Sequence, residues 1–209
     1  MIHRVTLIAF ILLVYFPAEA FCLDSEEPAR NRFYFFLQAG SFMGNNDSGK
    51  IKADESGYGY GLGGGYFLTR NLSVEGDFEY FTDNYVRDSA TLAPGTSSND
   101  IEIASVSLAL NTKYYIRVKT LNFFLGGGVS FYDSDIYVRE IGKSGKSNVA
   151  GDQSTGYQGI AGIGYSYLDR VHVELAWRRI FLKQDFGIYS NGEVDAGGNY
   201  FHIGIRAEY

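Results

Sequence analysis

The feature that most constrains this chain is a period-two alternation sustained over segments of about ten residues. From Leu72, the residues Leu72, Val74, Gly76, Phe78 and Tyr80 fall on one face, and Ser73, Glu75, Asp77 and Glu79 on the other. From Val171, the apolar face is Val171, Val173, Leu175 and Trp177, against His172, Glu174, Ala176 and Arg178. The final stretch sets Phe201, Ile203, Ile205, Ala207 and Tyr209 against His202, Gly204, Arg206 and Glu208. Side chains alternate between faces only along a β-strand, so each segment reads as a strand with one apolar and one polar face. Strands of soluble sandwiches are usually shorter, about 5–6 residues.

Eight such segments are predicted, near 33–43, 57–68, 72–82, 101–116, 121–132, 155–167, 171–182 and 198–209. The connections alternate in length. Those at 44–56, 83–100, 133–154 and 183–197 are long and polar. Those at Thr69-Arg70-Asn71, near Val118-Lys119, and at Leu168-Asp169-Arg170 are tight. Long–short alternation over an even strand number matches an up-and-down transmembrane barrel, with short turns on one rim and long loops on the other. The predicted fold class is therefore all-β: an eight-stranded antiparallel transmembrane β-barrel with short periplasmic turns and four long extracellular loops. A weak repeat runs through it. Gly65-Tyr66 and Leu72-Ser73-Val74-Glu75 correspond to Gly164-Tyr165 and Val171-His172-Val173-Glu174, each pair spanning a tight turn.

Composition supports this reading. Glycine is 26 of 209 residues and aromatics are 16%, while proline is only 3. Mean hydropathy is −0.11, a value that averages two opposed faces. In hydrocarbon every backbone polar group must pair internally, so a chain without transmembrane helices spans only as a closed barrel. Aromatics are expected on the outward face near strand ends, as interfacial girdles, at Tyr66, Tyr80, Tyr114, Phe131, Tyr165, Tyr167, Trp177 and Tyr209. An eight-stranded lumen is only wide enough for side chains. Glycines and charges are expected to fill it. Folding about Arg70 places Gly65, Gly63 and Gly61 beside Glu75, Asp77 and Glu79, and Gly164 falls opposite Glu174; Gly126 and Gly128 line the fifth strand.

A lumen charge network is predicted from Glu75, Asp77, Glu79, Lys113, Glu174, Arg178, Arg206 and Glu208, because buried charges must be paired. The expected register of the last two strands puts Glu174 opposite Arg206, Arg178 beside His202, and His172 beside Glu208.

The N-terminus reads as a signal peptide over 1–20. His3 and Arg4 precede the apolar run from Val5 to Phe16, and Ala18-Glu19-Ala20 gives the small-residue cleavage pattern before Phe21. A short segment 21–32 then leads into the barrel, 33–209. The chain is therefore expected to be exported from a Gram-negative cell, and no periplasmic domain is expected after Tyr209. The single cysteine, Cys22, excludes an internal disulfide and a cysteine-based zinc site. Net charge is −6, and no run of Lys or Arg suggests nucleic acid. No cofactor or metal site is expected.

These features together resemble the small eight-stranded outer-membrane barrels of the OmpA transmembrane-domain, OmpX, Ail and Opa type. The carrying residues are the signal segment, the Gly-rich Gly57–Tyr66 strand, Asn71-Leu72-Ser73-Val74-Glu75, and the terminal Phe201, Ile203, Ile205, Ala207 and Tyr209. The resemblance implies that Phe201, Ile203, Ile205 and Tyr209 form a C-terminal signal for the barrel assembly machinery, with Tyr209 where the family usually has Phe. It implies a non-enzymatic monomer in the outer membrane, in contact with its lipid and lipopolysaccharide. Such a barrel acts through its loops in surface contact, adhesion or envelope integrity. Three alternatives stay open. One is a narrow-pore channel. Another is a lipid A-modifying barrel enzyme, for which the strand histidines are His172 and His202. The third is a soluble lipocalin-like barrel with its apolar side inside.

Overall fold

The computed structural model describes residues 33–45, 51–87, 100–139, 147–168, 170–185 and 193–209. The signal segment, with Ala18, Ala20 and Phe21, lies outside these residues, as do parts of the four long connections.

Eight antiparallel strands close into a barrel: β1 (Phe33–Gly44), β2 (Ile51–Phe67), β3 (Leu72–Arg87), β4 (Asp100–Val118), β5 (Leu121–Arg139), β6 (Ser147–Leu168), β7 (Val171–Phe181) and β10 (Gly198–Glu208). β8 (Lys183–Asp185) and β9 (Glu193–Asp195) form a separate two-stranded hairpin in the last long connection. Each barrel strand pairs with its neighbours in sequence, and β1 pairs with β10 to close the ring. The Tyr209 N–H donates to the Phe33 carbonyl at 2.8 Å and seals that seam.

Local chemistry explains the tight turns. Between β2 and β3, the Thr69 hydroxyl accepts from the Asn71 and Leu72 N–H groups at 3.3 and 3.1 Å, a side-chain-closed turn. Asn71 also ties this turn to β4: its side-chain amide donates to the Tyr115 carbonyl at 2.6 Å. Between β4 and β5, Lys119 takes a left-handed φ of 56°.

Parity holds around the ring. Outward side chains such as Leu125 (65% exposed), Tyr114, Leu175 and Ile203 are exposed, whereas Arg178 and Arg206 are at most 1% exposed. Lipid-facing aromatics gather at the two ends. Phe33, Tyr66, Tyr114, Tyr165, Tyr167 and Tyr209 lie toward the short-turn rim; Tyr58, Tyr80, Phe131, Tyr157, Trp177 and Phe181 lie toward the other. Between them the outward face is mostly leucine, isoleucine, valine, alanine and glycine, with Phe78 at mid-height on β3.

The β2–β3 register pairs Gly61 with Glu79, Gly63 with Asp77 and Gly65 with Glu75. The β6–β7 register pairs Gly164 with Glu174. The repeat noted in the sequence is thus a repeated structural device, a glycine facing an acid just above a tight turn.

Three expectations are corrected. First, the β7–β10 register differs by two residues. Arg206 pairs with His172, Glu174 with Gly204, Arg178 with Tyr200 and His202 with Ala176. The shift is even, so every side chain keeps its face. Second, β2 to β6 run past their expected outer ends, to Ile51, Arg87, Asp100, Arg139 and Ser147. The apolar outward face stops earlier, but ladder hydrogen bonds need no apolar side chain, so pairing continues through polar sequence. Third, aromatics also fill the lumen. Tyr34, Phe36, Phe67, Tyr115 and Phe124 cluster with Ile160 and Ala176 near the short turns. Phe42, Phe81, Tyr132 and Tyr200 cluster with Ile180, Leu182 and Ala196 toward the other rim.

Candidate functional site: the charged lumen

The polar residues of the lumen assemble into two groups. In the upper group, Arg178 from β7 crosses the lumen to β3, placing Nη2 3.0 Å from Asp77 Oδ2 and Nη1 2.5 Å from Glu79 Oε2. All three side chains are at most 1% exposed. Neutral donors complete the shell. Asn111 donates to Asp77 at 2.8 Å, Gln38 donates to Glu79, and Gln158 donates to the Asn111 carbonyl oxygen at 2.5 Å. Two carboxylates share one guanidinium, so these amides help stabilise the extra negative charge.

In the lower group, Lys113 Nζ lies 2.7 Å from Glu75 Oε2. The Tyr34 and Tyr115 hydroxyls donate to the other oxygen, Oε1, at 2.5 and 3.2 Å. Arg206 reaches Glu174 at 2.6 Å and Glu208 at 3.2 Å. His172 Nε2 lies 3.1 Å from Glu208, and its Nδ1 meets the Ser166 hydroxyl at 2.8 Å. Aromatic faces cover the cations. Arg206 sits 5.3 Å from the Tyr34 ring and 4.9 Å from the Tyr115 ring. Lys113 sits 5.0 Å from the Phe124 ring. Such contacts strengthen when desolvated.

All eight side chains expected in the charge network therefore take part in ion pairs, in two groups. The Glu174–Arg206 and His172–Glu208 contacts form as diagonals, two residues off the expected pairing. His202 does not meet Arg178; its ring stacks on Tyr200, with centroids 4.8 Å apart. Gln38, Asn111, Gln158, Tyr34 and Tyr115 escaped the sequence reading. Their inward parity was available as a signal, but their types suggested solvent or the lipid boundary.

The glycines clear space for more than carboxylates. A Cβ on Gly61 would lie 2.8 Å from Glu79 Cγ, as expected, but one on Gly65 would strike the Tyr34 ring at 2.3 Å. One on Gly63 would strike Phe36 at 2.4 Å. β2 is bare so that the rings of β1 can lie across it. Among the described residues, no cluster of His, Cys, Asp or Glu has the geometry to hold a metal ion.

The sequence matches the outer membrane protein beta-barrel domain over residues 8–207. The chain belongs to that family. Solved outer-membrane barrels share the fold. Neisserial surface protein A superimposes with a TM-score of 0.57 at 16% identity, over 87% of this chain and 100% of that one. OprG of Pseudomonas aeruginosa gives 0.58 at 15%, over 87% and 98%. Ail, the attachment invasion locus protein of Yersinia pestis, gives 0.53 at 10%, over 87% and 100%, in a complex with the heparin analogue sucrose octasulfate. No curated protein sequence matches the chain. As an outer membrane protein β-barrel domain, the chain resides in the outer membrane. Its exposed apolar band then faces lipid, and the soluble lipocalin-like alternative is excluded.

Proposed function

We propose that this protein is a non-enzymatic outer-membrane barrel that acts at the cell surface through the connections between its long-strand ends. Adhesion, other surface contact and envelope integrity are the roles in question. The observation carrying this reading is the filled lumen. Arg178, Asp77 and Glu79 pair across its width, and aromatic clusters pack toward both rims. A lumen so occupied favours work done on the outside over large-pore conduction. The attachment role in Ail's name supports the adhesive form of the proposal, on shared fold. Lipopolysaccharide and outer-membrane lipid are the proposed surroundings. The proposed state is a monomer, inserted by the assembly machinery through Phe201, Ile203, Ile205 and Tyr209.

The test replaces residues 46–50, 88–99, 140–146 and 186–192 with Gly-Ser segments in a deletion strain. Adhesion and detergent resistance are then compared with the parent, with heat-modifiable gel mobility as the check of folding. Loss of the phenotype with a folded barrel supports the proposal. An unchanged phenotype with all four replaced removes it.

A second reading rests on one specific observation. Ser166, His172 and Glu208 form a hydrogen-bonded line, the order of groups that activates a serine nucleophile. Against it, the line lies on the strand wall, where backbone N–H groups are committed to the ladder and do not serve an oxyanion. Glu208 is also shared with Arg206. Labelling with a fluorophosphonate that disappears in Ser166→Ala would establish the enzyme reading; no labelling rejects it.

A further inference from the structure

We propose that the lipid-facing side of β5–β6–β7 carries a binding site for a phosphorylated, acylated lipid of the outer leaflet, with Arg179 and Asn199 holding the phosphate. This inference depends on the outer-membrane placement of the barrel and not on the role of its surface connections.

Arg179 faces outward, between Trp177 and Phe181 on β7, while Arg178 and Ile180 point in. It stands eight residues beyond Val171, roughly 20 Å along the barrel axis for a tilted strand, near the outer edge of an apolar band about 25 Å tall. Its guanidinium lies 5.6 Å from the Phe181 ring. Among the described residues, no carboxylate lies within ion-pair distance of Arg179. Every cation of the lumen network has such a partner. A cation at the membrane boundary without a protein anion suits an anion supplied by the lipid.

A neighbouring hydrogen bond fits the same ligand. Asn199 pairs with Arg179 across the β7–β10 ladder. The Trp177 indole N–H donates to the Asn199 carbonyl oxygen at 3.0 Å. That bond engages the side-chain oxygen and leaves the amide N–H₂ as a donor, at the position paired with Arg179. A guanidinium and an amide donor are thus carried at paired positions of the outer surface, and both are groups that bind phosphate oxygens.

The third observation is a floor for an acyl chain. On the other side of Arg179, the ladder continues to Gly159 and then Gly127, both outward-facing. Most glycines of this barrel are needed by packing, but a Cβ on Gly159 would meet nothing within 4 Å. Glycine within a strand is less stable than alanine, and no protein neighbour accounts for its presence here. The gap is a shallow trough leading away from the guanidinium, walled on its outer side by Tyr157 and Phe181, which are 65% and 56% exposed. Gly76 is also open on its outward side, but it pairs with Gly64 and Leu110, where there is no charge to anchor a headgroup.

Trp177 is the only tryptophan of the chain and reports on the site directly. The refolded protein in dodecyl maltoside is titrated with diphosphoryl lipid A, with the same lipid after dephosphorylation, and with inorganic phosphate, following Trp177 fluorescence. Arg179→Gln and Gly159→Leu are titrated alongside, after heat-modifiable mobility has shown them folded. The expected result is a saturable shift with the phosphorylated lipid. Its midpoint rises about tenfold or more in Arg179→Gln and on dephosphorylation, the size of a lost charge-assisted contact. Gly159→Leu is expected to weaken binding while leaving the charge intact. Unsaturable partitioning, equal midpoints for all three proteins, equal binding of the dephosphorylated lipid, or the same shift with inorganic phosphate alone would each overturn the proposal.

Discussion

Arg178 and Asp77 stand 101 residues apart in sequence, on strands that are not neighbours in the ring, yet their side chains meet at 3.0 Å in the centre of the lumen. The contact cross-braces the barrel from the inside, in addition to the ladder of backbone bonds around it. Glu79 shares the same guanidinium.

Removing that cation strands two buried carboxylates. Arg178→Ala is expected to lower unfolding stability by about 3–5 kcal/mol, the usual cost of breaking a buried pair. Adding Asp77→Asn and Glu79→Gln to the same chain is expected to restore much of it, because the uncompensated charge goes with them. Urea unfolding in detergent micelles, followed by Trp177 fluorescence, measures both.

The glycines of β2 and β3 give a matched comparison. A Cβ at Gly65 strikes the Tyr34 ring at 2.3 Å, and that ring is pinned by hydrogen bonds to Glu75 and Ser73. Gly65→Ala is therefore expected to cost about 1–3 kcal/mol through overpacking. Gly76→Ala meets only a carbonyl oxygen at 4.0 Å on the lipid side. It is expected to be neutral or stabilising by up to about 1 kcal/mol. Unfolding midpoints of the two variants should fall on opposite sides of the parent or differ clearly in size.

The β4–β5 turn depends on the left-handed conformation of Lys119, φ 56°. Proline fixes φ near −65°, so Lys119→Pro is expected to prevent this hairpin from closing and to abolish the heat-modifiable folded band. Glycine reaches the left-handed region without strain, so Lys119→Gly is expected to fold as the parent does. Gel mobility after refolding separates the two.

Where a short turn fixes the pairing, the sequence sufficed. The β2–β3 and β6–β7 ladders, with Gly65 facing Glu75 and Gly164 facing Glu174, follow from counting outward from tight turns. β7 and β10 are joined by a long connection that holds its own hairpin, so no turn fixes their register. Only charge matching speaks to that register from the sequence, and it does not separate an opposite pair from a diagonal one. Glu174 reaches Arg206 at 2.6 Å from two residues away. Composition misled in a different way. Tyr34, Phe36 and Tyr115 have inward parity, but an aromatic residue in a membrane barrel suggests the lipid boundary first. Only the geometry of Gly63 and Gly65 shows why β1 can turn its rings inward.

The central claim is that successive residues of a strand face lipid and packed lumen in turn. β7 tests it most directly. In a Cys22→Ser background, single cysteines at positions 173 to 178 carry a nitroxide label, and the protein is reconstituted in lipid bilayers. Collision rates with oxygen, which concentrates in the bilayer, should be high at 173, 175 and 177 and low at 174 and 176, with 178 low where the variant folds. Uniform rates along the strand, or the reverse alternation, would contradict the account.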